Sequence, residues 1–183
     1  MNANVAKFEK FEWLMQGLSL RSPNLEPFVR GTGERTLSYE DRLGVIAAMQ
    51  SQLAKSVTAL IVFEHKSKQD YDDVRQHLAK VFIEQAVQDK KREPERIAMY
   101  HLAELIARMV LDFVLDPDLE ENYTAKGRLA YAGISRHQMS LDCYRKTWKC
   151  YEIKLINVLE NAIQEAEIAI EKYRKDTYKI MKA

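Results

Sequence analysis

Apolar residues recur three and four apart along most of this chain, a pattern that predicts helices divided by short breaks. Phe8, Phe11, Leu14 (or Met15) and Leu18 mark a helix over about residues 3–18, with Trp13 off that stripe. Residues 19–37 hold Ser22-Pro23-Asn24, Pro27 and Gly31-Thr32-Gly33 and read as loop. Ser38-Tyr39-Glu40-Asp41 is a variant capping box with Asp41 in place of the usual Glu, opening a second helix. Its apolar positions are Leu43, Ile46, Ala47, Met49 or Gln50, and Leu53. The run Val57 to Phe63 has the composition of a strand, but it is short and has no partner strand, which favours a buried helix. A helix from about Asp70 to Lys90 turns Val74, Leu78, Val81, Phe82 and Gln85-Ala86 inward. Asp72 and Asp73 suit the positive end of its dipole, and Lys90-Lys91 its negative end. Glu93-Pro94-Glu95 opens a further helix through Ile97, Tyr100-His101, Leu105 (or Glu104), Arg108-Met109 and Phe113 to Leu115, with Pro94 suited to its first turn. Asp116-Pro117-Asp118 ends it.

Between residues 123 and 146 the pattern changes. A short helix ends near Ala132, and Gly133 suits a turn that needs positive φ. Ile134 then enters the core, and Ser135 caps a following helix by accepting from its free N–H groups. That helix would expose Arg136, His137, Ser140, Tyr144 and Arg145 and turn Met139 and Cys143 inward. A small residue at the turn, a branched residue behind it and a cap on the next helix make up the helix-turn-helix pattern.

From Thr147 to Ala183 there is neither Gly nor Pro. Ile156, Leu159, Ile163, Ala166, Ile170, Tyr173, Thr177 and Ile180 form a heptad seam flanked by Glu160, Glu165, Glu167, Glu171, Lys172 and Lys175. Two readings fit. One is a coiled-coil homodimer joined through Ile156, Leu159, Ile163, Ile170 and Tyr173; the other is a single long helix packed on its own N-terminal part. The pattern as a whole predicts an all-α fold: a helical bundle over 1–118, a helix-turn-helix over 119–154 and a long helix over 155–183.

Composition agrees with helices. Only 6 Gly and 4 Pro occur among 183 residues, and 46% of the chain is apolar. The net charge is +1, but it is unevenly spread. Residues 126–154 carry 7 Lys/Arg against 2 Asp/Glu, while residues 1–125 carry 16 against 20. A basic island of this kind is a candidate footprint for an anion, with nucleic acid foremost, or else an ordinary solvated face. Cys143 and Cys150 lie seven apart, with Cα atoms about 10 Å apart on a helix, too far for a disulfide. Their spacing is no zinc pair, so both are expected to be small buried residues. No apolar run reaches the roughly 20 residues of a membrane span, and residues 1–7 open no signal segment, so the cytoplasm is expected.

Ala132-Gly133-Ile134-Ser135-Arg136 resembles the core of helix-turn-helix DNA-binding proteins. With a helical extension behind it, the segment is similar to small phage and prophage regulators, among them late-gene antiterminator-like proteins with a sigma-like C-terminal helix-turn-helix. The close match covers about 20 residues. It departs at Leu129, where the family often has a small residue, and at Asp142, where an apolar one is usual. The resemblance implies a transcription-related regulator bound to double-stranded DNA, with RNA polymerase or another protein as a further partner. Ser135, Arg136 and His137 would lie nearest the base edges, followed by Ser140 and Tyr144, with Arg136 reading guanine. Lys126, Arg128, Arg145, Lys146 and Lys149 would contact phosphates. The alternative of a different class is a helical protein-interaction module, an inhibitor or adaptor, that makes no DNA contact.

Little points to catalysis. His65, His77, His101 and His137 do not form a ligand set, and His101-x-x-Glu104 reverses the order of a carboxylate-bridged metal motif. No nucleophile motif is present, so neither an enzyme nor a cofactor is expected.

Overall fold

Hydroxyl side chains set several of the helix starts. A computed structural model describes residues 8–15, 39–63 and 67–182. In order, the helices are α1 (Glu9–Met15), α2 (Tyr39–Ala48), α3 (Gln52–Val62), α4 (Lys68–Gln88), α5 (Met99–Leu115), α6 (Pro117–Glu121), α7 (Ala125–Ala132) and α8 (Leu141–Cys143). A π-helical turn, Tyr144–Trp148, then leads into α9 (Lys149–Lys182). Among the described residues there is no strand, and the chain is all-α. Among the described residues no helix is long and apolar enough to cross a membrane. The expected ends of the first helix, the loop at 19–37, the Ser38 cap and His65 lie outside the described residues.

Ser51 Oγ accepts the Ala54 N–H at 3.2 Å and starts α3, so α2 stops at Ala48 and Leu53 belongs to the next helix. On α2 the buried side is Val45, with Met49 just past its end, whereas the expected Ala47 is exposed. Trp13 is buried despite lying off the α1 stripe, because the Arg42 guanidinium covers its ring at 5.6 Å. The strand-like run is helical in α3, with Val57 to Val62 all buried.

α4 and α5 form an antiparallel pair. The Tyr71 hydroxyl donates to Asp112 at 2.6 Å, and Arg75 pairs with Glu104 at 3.3 Å. Val74, Leu78, Phe82 and Ala86 bury the inner side of α4. α5 begins later than Pro94 suggested: the Glu93 carboxylate accepts the Met99 N–H at 2.6 Å, and residues 93–98 are non-helical.

α9 lies across α1 to α5 and buries Tyr151, Leu155, Leu159, Ala162, Ile163, Ala166 and Ile170. Of the two readings of the apolar seam, this is the long helix packed on the chain's own N-terminal part. Leu159, Ile163 and Ile170 are 1%, 6% and 1% exposed within the single chain, and Ile156 and Tyr173 are half-buried against the same core. Tyr173 lies so near Gly44 that a Cβ there would strike its hydroxyl. The expected solvated flank is also engaged. Glu165 accepts the Ser51 N–H at 3.0 Å, and Lys10 pairs with Glu167 at 3.0 Å and with Glu171 at 2.9 Å. The seam is therefore closed by the chain's own helices, and one continuous core holds residues from all three expected segments.

Leu159→Ala should lower the unfolding free energy by about 2–5 kcal/mol, the usual cost of emptying a packed leucine site. Urea unfolding at several protein concentrations checks this. The loss should be independent of concentration, whereas a shared intermolecular seam would make it concentration-dependent.

Candidate nucleic-acid interface

Thr124 Oγ1 accepts the Gly127 N–H at 3.2 Å and opens α7. The helix ends in a Schellman motif. Gly133, at φ 86, donates its N–H to Ala130 O at 3.0 Å, and Ile134 donates to Leu129 O at 2.9 Å. Ile134 and Leu129 are both buried, which supplies the apolar contact that accompanies this motif. Arg108 of α5 donates to the Tyr131 and Ala132 carbonyls at 3.1 and 3.3 Å, satisfying the end of α7 from outside.

Past Gly133 the local structure departs from expectation. Ser135 and Gln138 do form a closed reciprocal pair. Gln138 Oε1 accepts the Ser135 N–H at 2.9 Å, and Ser135 Oγ accepts the Gln138 N–H at 3.4 Å. Only one turn follows, closed by the Met139 N–H on Ser135 O at 3.0 Å. Ser140 is extended (φ −74, ψ 151), and its Oγ accepts the Cys143 N–H at 3.2 Å, so the helix proper starts at Leu141. The reason is the spacing of the buried residues. Ile134, Met139 and Tyr144 are all buried and stand five apart, and five residues of α-helix rotate about 140° away from one face. The break at Ser140 resets the phase. The π-helical turn, where the Lys149 N–H reaches Tyr144 O, then brings Tyr144, Trp148 and Tyr151 onto one inner side. The chain is helical without interruption from Leu141 to Lys182.

Several expected roles change accordingly. Arg136 and His137 are exposed, but on a turn rather than a helix. Ser135 closes that turn, and Ser140 is the N-cap of the following helix. Tyr144 is buried, and its hydroxyl donates to Glu152, so it presents nothing to a ligand. Arg128 is half-buried, its guanidinium 3.4 Å from Glu152 and 5.0 Å from the centre of the Phe113 ring, so it holds the fold rather than a phosphate. Cys143 and Cys150 are exposed, because the restart at Ser140 hands the inner position to Tyr144. Lys126, Arg145, Lys146 and Lys149 are exposed as expected.

Glu152 was missed in the sequence. It is 2% exposed, and it joins α7, the π-turn and α9 through Arg128 and Tyr144. A carboxylate between Tyr151 and Leu155 on the inward stripe was the available signal. Burial, and then the Glu152 charge, push the Tyr144 hydroxyl far above the usual tyrosine range. A parallel arrangement lies one turn further along α7, at Tyr131. Asp112 accepts the Tyr71 hydroxyl and, at 2.9 Å, the Tyr131 hydroxyl. Burial and then Asp112 raise both, Tyr131 to about 12. Tyr151 donates to Asp89 at 2.8 Å and is likewise raised by burial, while that hydrogen bond lowers Asp89.

What remains on the outer surface is a basic edge. Lys126 of α7, Arg136 of the turn, and Arg145, Lys146 and Lys149 beside the π-turn are exposed, and none forms an ion pair with another described residue. Asp142 is exposed among them, while the charge of Glu152 is matched internally by Arg128. Between α7 and the turn lies an open cleft of about 510 Å³, floored by Leu129, Ile134 and Met139 and edged by Lys126 and Arg136. Compared with known proteins, the chain matches no family model, no curated protein and no solved structure.

Two outcomes follow. Arg128→Ala strands the Glu152 charge in the core and should cost about 3–5 kcal/mol, whereas Arg128→Met combined with Glu152→Gln should recover most of that loss. Chemical denaturation of the single and double variants checks this. The second outcome concerns alkaline pH. Tyr71, Tyr131, Tyr144 and Tyr151 are all raised above 10.0 in the folded chain, so their contribution to stability is complete below pH 10. The unfolded chain releases these protons first as the pH rises, so stability falls from about pH 10 upward, and of the four Tyr131, at about 12, is the first to lose its contribution in full. A tyrosinate absorbance titration beside circular dichroism should show late-titrating tyrosines ionising together with unfolding. A single class ionising near pH 10 with the helices intact would contradict the assignment.

Proposed function

We propose that the chain binds double-stranded DNA along the edge made by α7, the turn at 133–140 and the first turns of the helix capped by Ser140. This is the role of a transcription-related regulator of phage or mobile-element kind that the resemblance implies. The observation that carries it is the set of exposed cations Lys126, Arg136, Arg145, Lys146 and Lys149, drawn from two helices and a turn and left without ion pairs among the described residues. Cations in this state can neutralise phosphates and release the counterions condensed on the duplex, which is the main source of sequence-independent affinity for DNA. The helix that begins at Ser140, rather than one beginning at Ser135, takes the place of the reading helix, with Arg136, His137 and Ser140 nearest the base edges. Arg128 and Tyr144 act behind that surface as positioning residues.

The cleft favours a second reading, a helical module that binds a protein partner. Its apolar floor and basic rim suit an acidic segment with apolar anchors.

Binding of the purified full chain to labelled duplex across a salt series separates the two. Lys146→Gln with Lys149→Gln should weaken binding to all duplexes and flatten the salt slope by about 2. Arg136→Ala should relax sequence preference by about 1–3 kcal/mol at one position. Duplex should also shield Cys143 and Cys150 from alkylation, since both thiols are exposed on the same helix as these lysines. A protein that ignores duplex at low salt would transfer the assignment to the protein-binding reading.

A further inference from the structure

The connection between α4 and α5, residues 89–98, has no part in the interface described above, yet it is tied at its start to α9 and toward its other end to the turn of that interface. At its start, Asp89 accepts the Tyr151 hydroxyl at 2.8 Å and lies 3.6 Å from the Lys154 ammonium. Toward its other end, Arg96 Nη1 donates to the His137 carbonyl at 3.1 Å, on the turn that carries Arg136. Arg96 of this basic connection and His137 of the turn, 41 residues apart in sequence, are thereby brought together.

Basic residues outnumber acidic ones on this connection. Residues 90–96 hold Lys90, Lys91, Arg92 and Arg96 against Glu93 and Glu95. Glu93 is occupied in capping α5, and Asp89 in holding Tyr151 and Lys154. Lys90, Lys91 and Arg92 are exposed and make no ion pair with another described residue. Lys90 and Lys91 complement the C-terminal dipole of α4, but that effect fades within a turn and does not account for Arg92 or Arg96. Lys90 also stands at φ 51, the one non-glycine residue with positive φ among those described. Its N–H and that of Lys91 close a Schellman motif on Val87 O and Ala86 O, each at 2.9 Å, where glycine is the usual occupant. An L side chain costs roughly 1–2 kcal/mol in that conformation. The chain carries this cost with a cation at the corner, beside two more.

We infer that Lys90, Lys91 and Arg92 form a second phosphate-contacting segment, which continues the basic edge and lets it follow the sugar–phosphate backbone of the duplex beyond the contacts of Lys146 and Lys149. The inference rests on the DNA reading given above. It assigns backbone contact only, with no base recognition, because these side chains stand on a connection and not on an element shaped to enter a groove.

The test uses the full chain and a labelled mixed-sequence duplex, with affinity measured as a function of salt. The variant is Lys90→Gly, Lys91→Gln and Arg92→Gln together; glycine is chosen because it adopts the left-handed corner without strain. A second variant, Arg92→Glu alone, leaves the helix end untouched. The triple variant should melt no lower than the parent, bind at least tenfold more weakly at moderate salt and lose about 2 to 3 from the log–log salt slope. Arg92→Glu should move affinity in the same direction. Unchanged slopes in both variants, with the Lys146→Gln, Lys149→Gln protein still impaired, would overturn this inference and leave the DNA reading standing. A parent protein that does not bind duplex at low salt would overturn both.

Discussion

The rest of the molecule depends on where the apolar stripe of the C-terminal helix goes. From Tyr151 to Ile170 that stripe is covered by α1 to α5 of the same chain. Hydrophobic burial has no direction, so a heptad seam is satisfied equally by another copy or by any complementary apolar surface close by. Here the nearer surface is intramolecular. α3, α4 and α5 each present an apolar face, and polar contacts fix how α9 lies on them: Lys10 with Glu167 and Glu171, Glu165 on the Ser51 N–H, and Lys154 on Gln85 and Asp89.

That packing dictates the shape of the segment before it. Once Trp148 stacks on Phe82 at 5.9 Å and Tyr151 packs on the same ring at 5.3 Å, the phase of the helix is set from its C-terminal side. Ile134 and Met139 must still reach the core, and they do so only because the helix breaks at Ser140 and widens over Tyr144–Trp148. The buried carboxylate of Glu152 then ties α7 to this arrangement through Arg128 and Tyr144. A buried charge of this kind is weak support for stability in itself, but it is costly to misplace, and so it holds α7 at one position relative to the π-turn.

The same arrangement sorts the cations. Arg108, Arg128 and Lys154 are engaged with carbonyls, a carboxylate or an aromatic ring, and serve the fold. Lys126, Arg136, Arg145, Lys146 and Lys149 remain on the outside, and Arg96 links them to the α4–α5 connection. Sequence order mixes these groups, since Lys126 and Arg128 are two residues apart yet lie one outside and one largely inside. Helical geometry separates them, because residues two apart point to different faces.

The sequence by itself determined the helical class, most of the inward positions of α4, the turn at Gly133 with Ile134 behind it, and the basic island. These follow from local periodicity, cap chemistry and charge, which need no knowledge of neighbours. On α5, by contrast, the inward face runs through Leu102, Ile106 and Val110 and leaves the expected Tyr100 and His101 exposed. Tertiary structure decided what local rules leave open. Ser135 and Ser140 are both competent caps, and propensity does not choose between them; the demand that Met139 and Tyr144 be buried together does. The α9 seam was legible as apolar but silent about its partner, because burial is rewarded wherever water is excluded. Tyr144, Arg128 and Glu152 changed role for the same reason: only the approach of α7 to the start of α9 makes a buried ion-paired site out of residues that, taken singly, suit the surface.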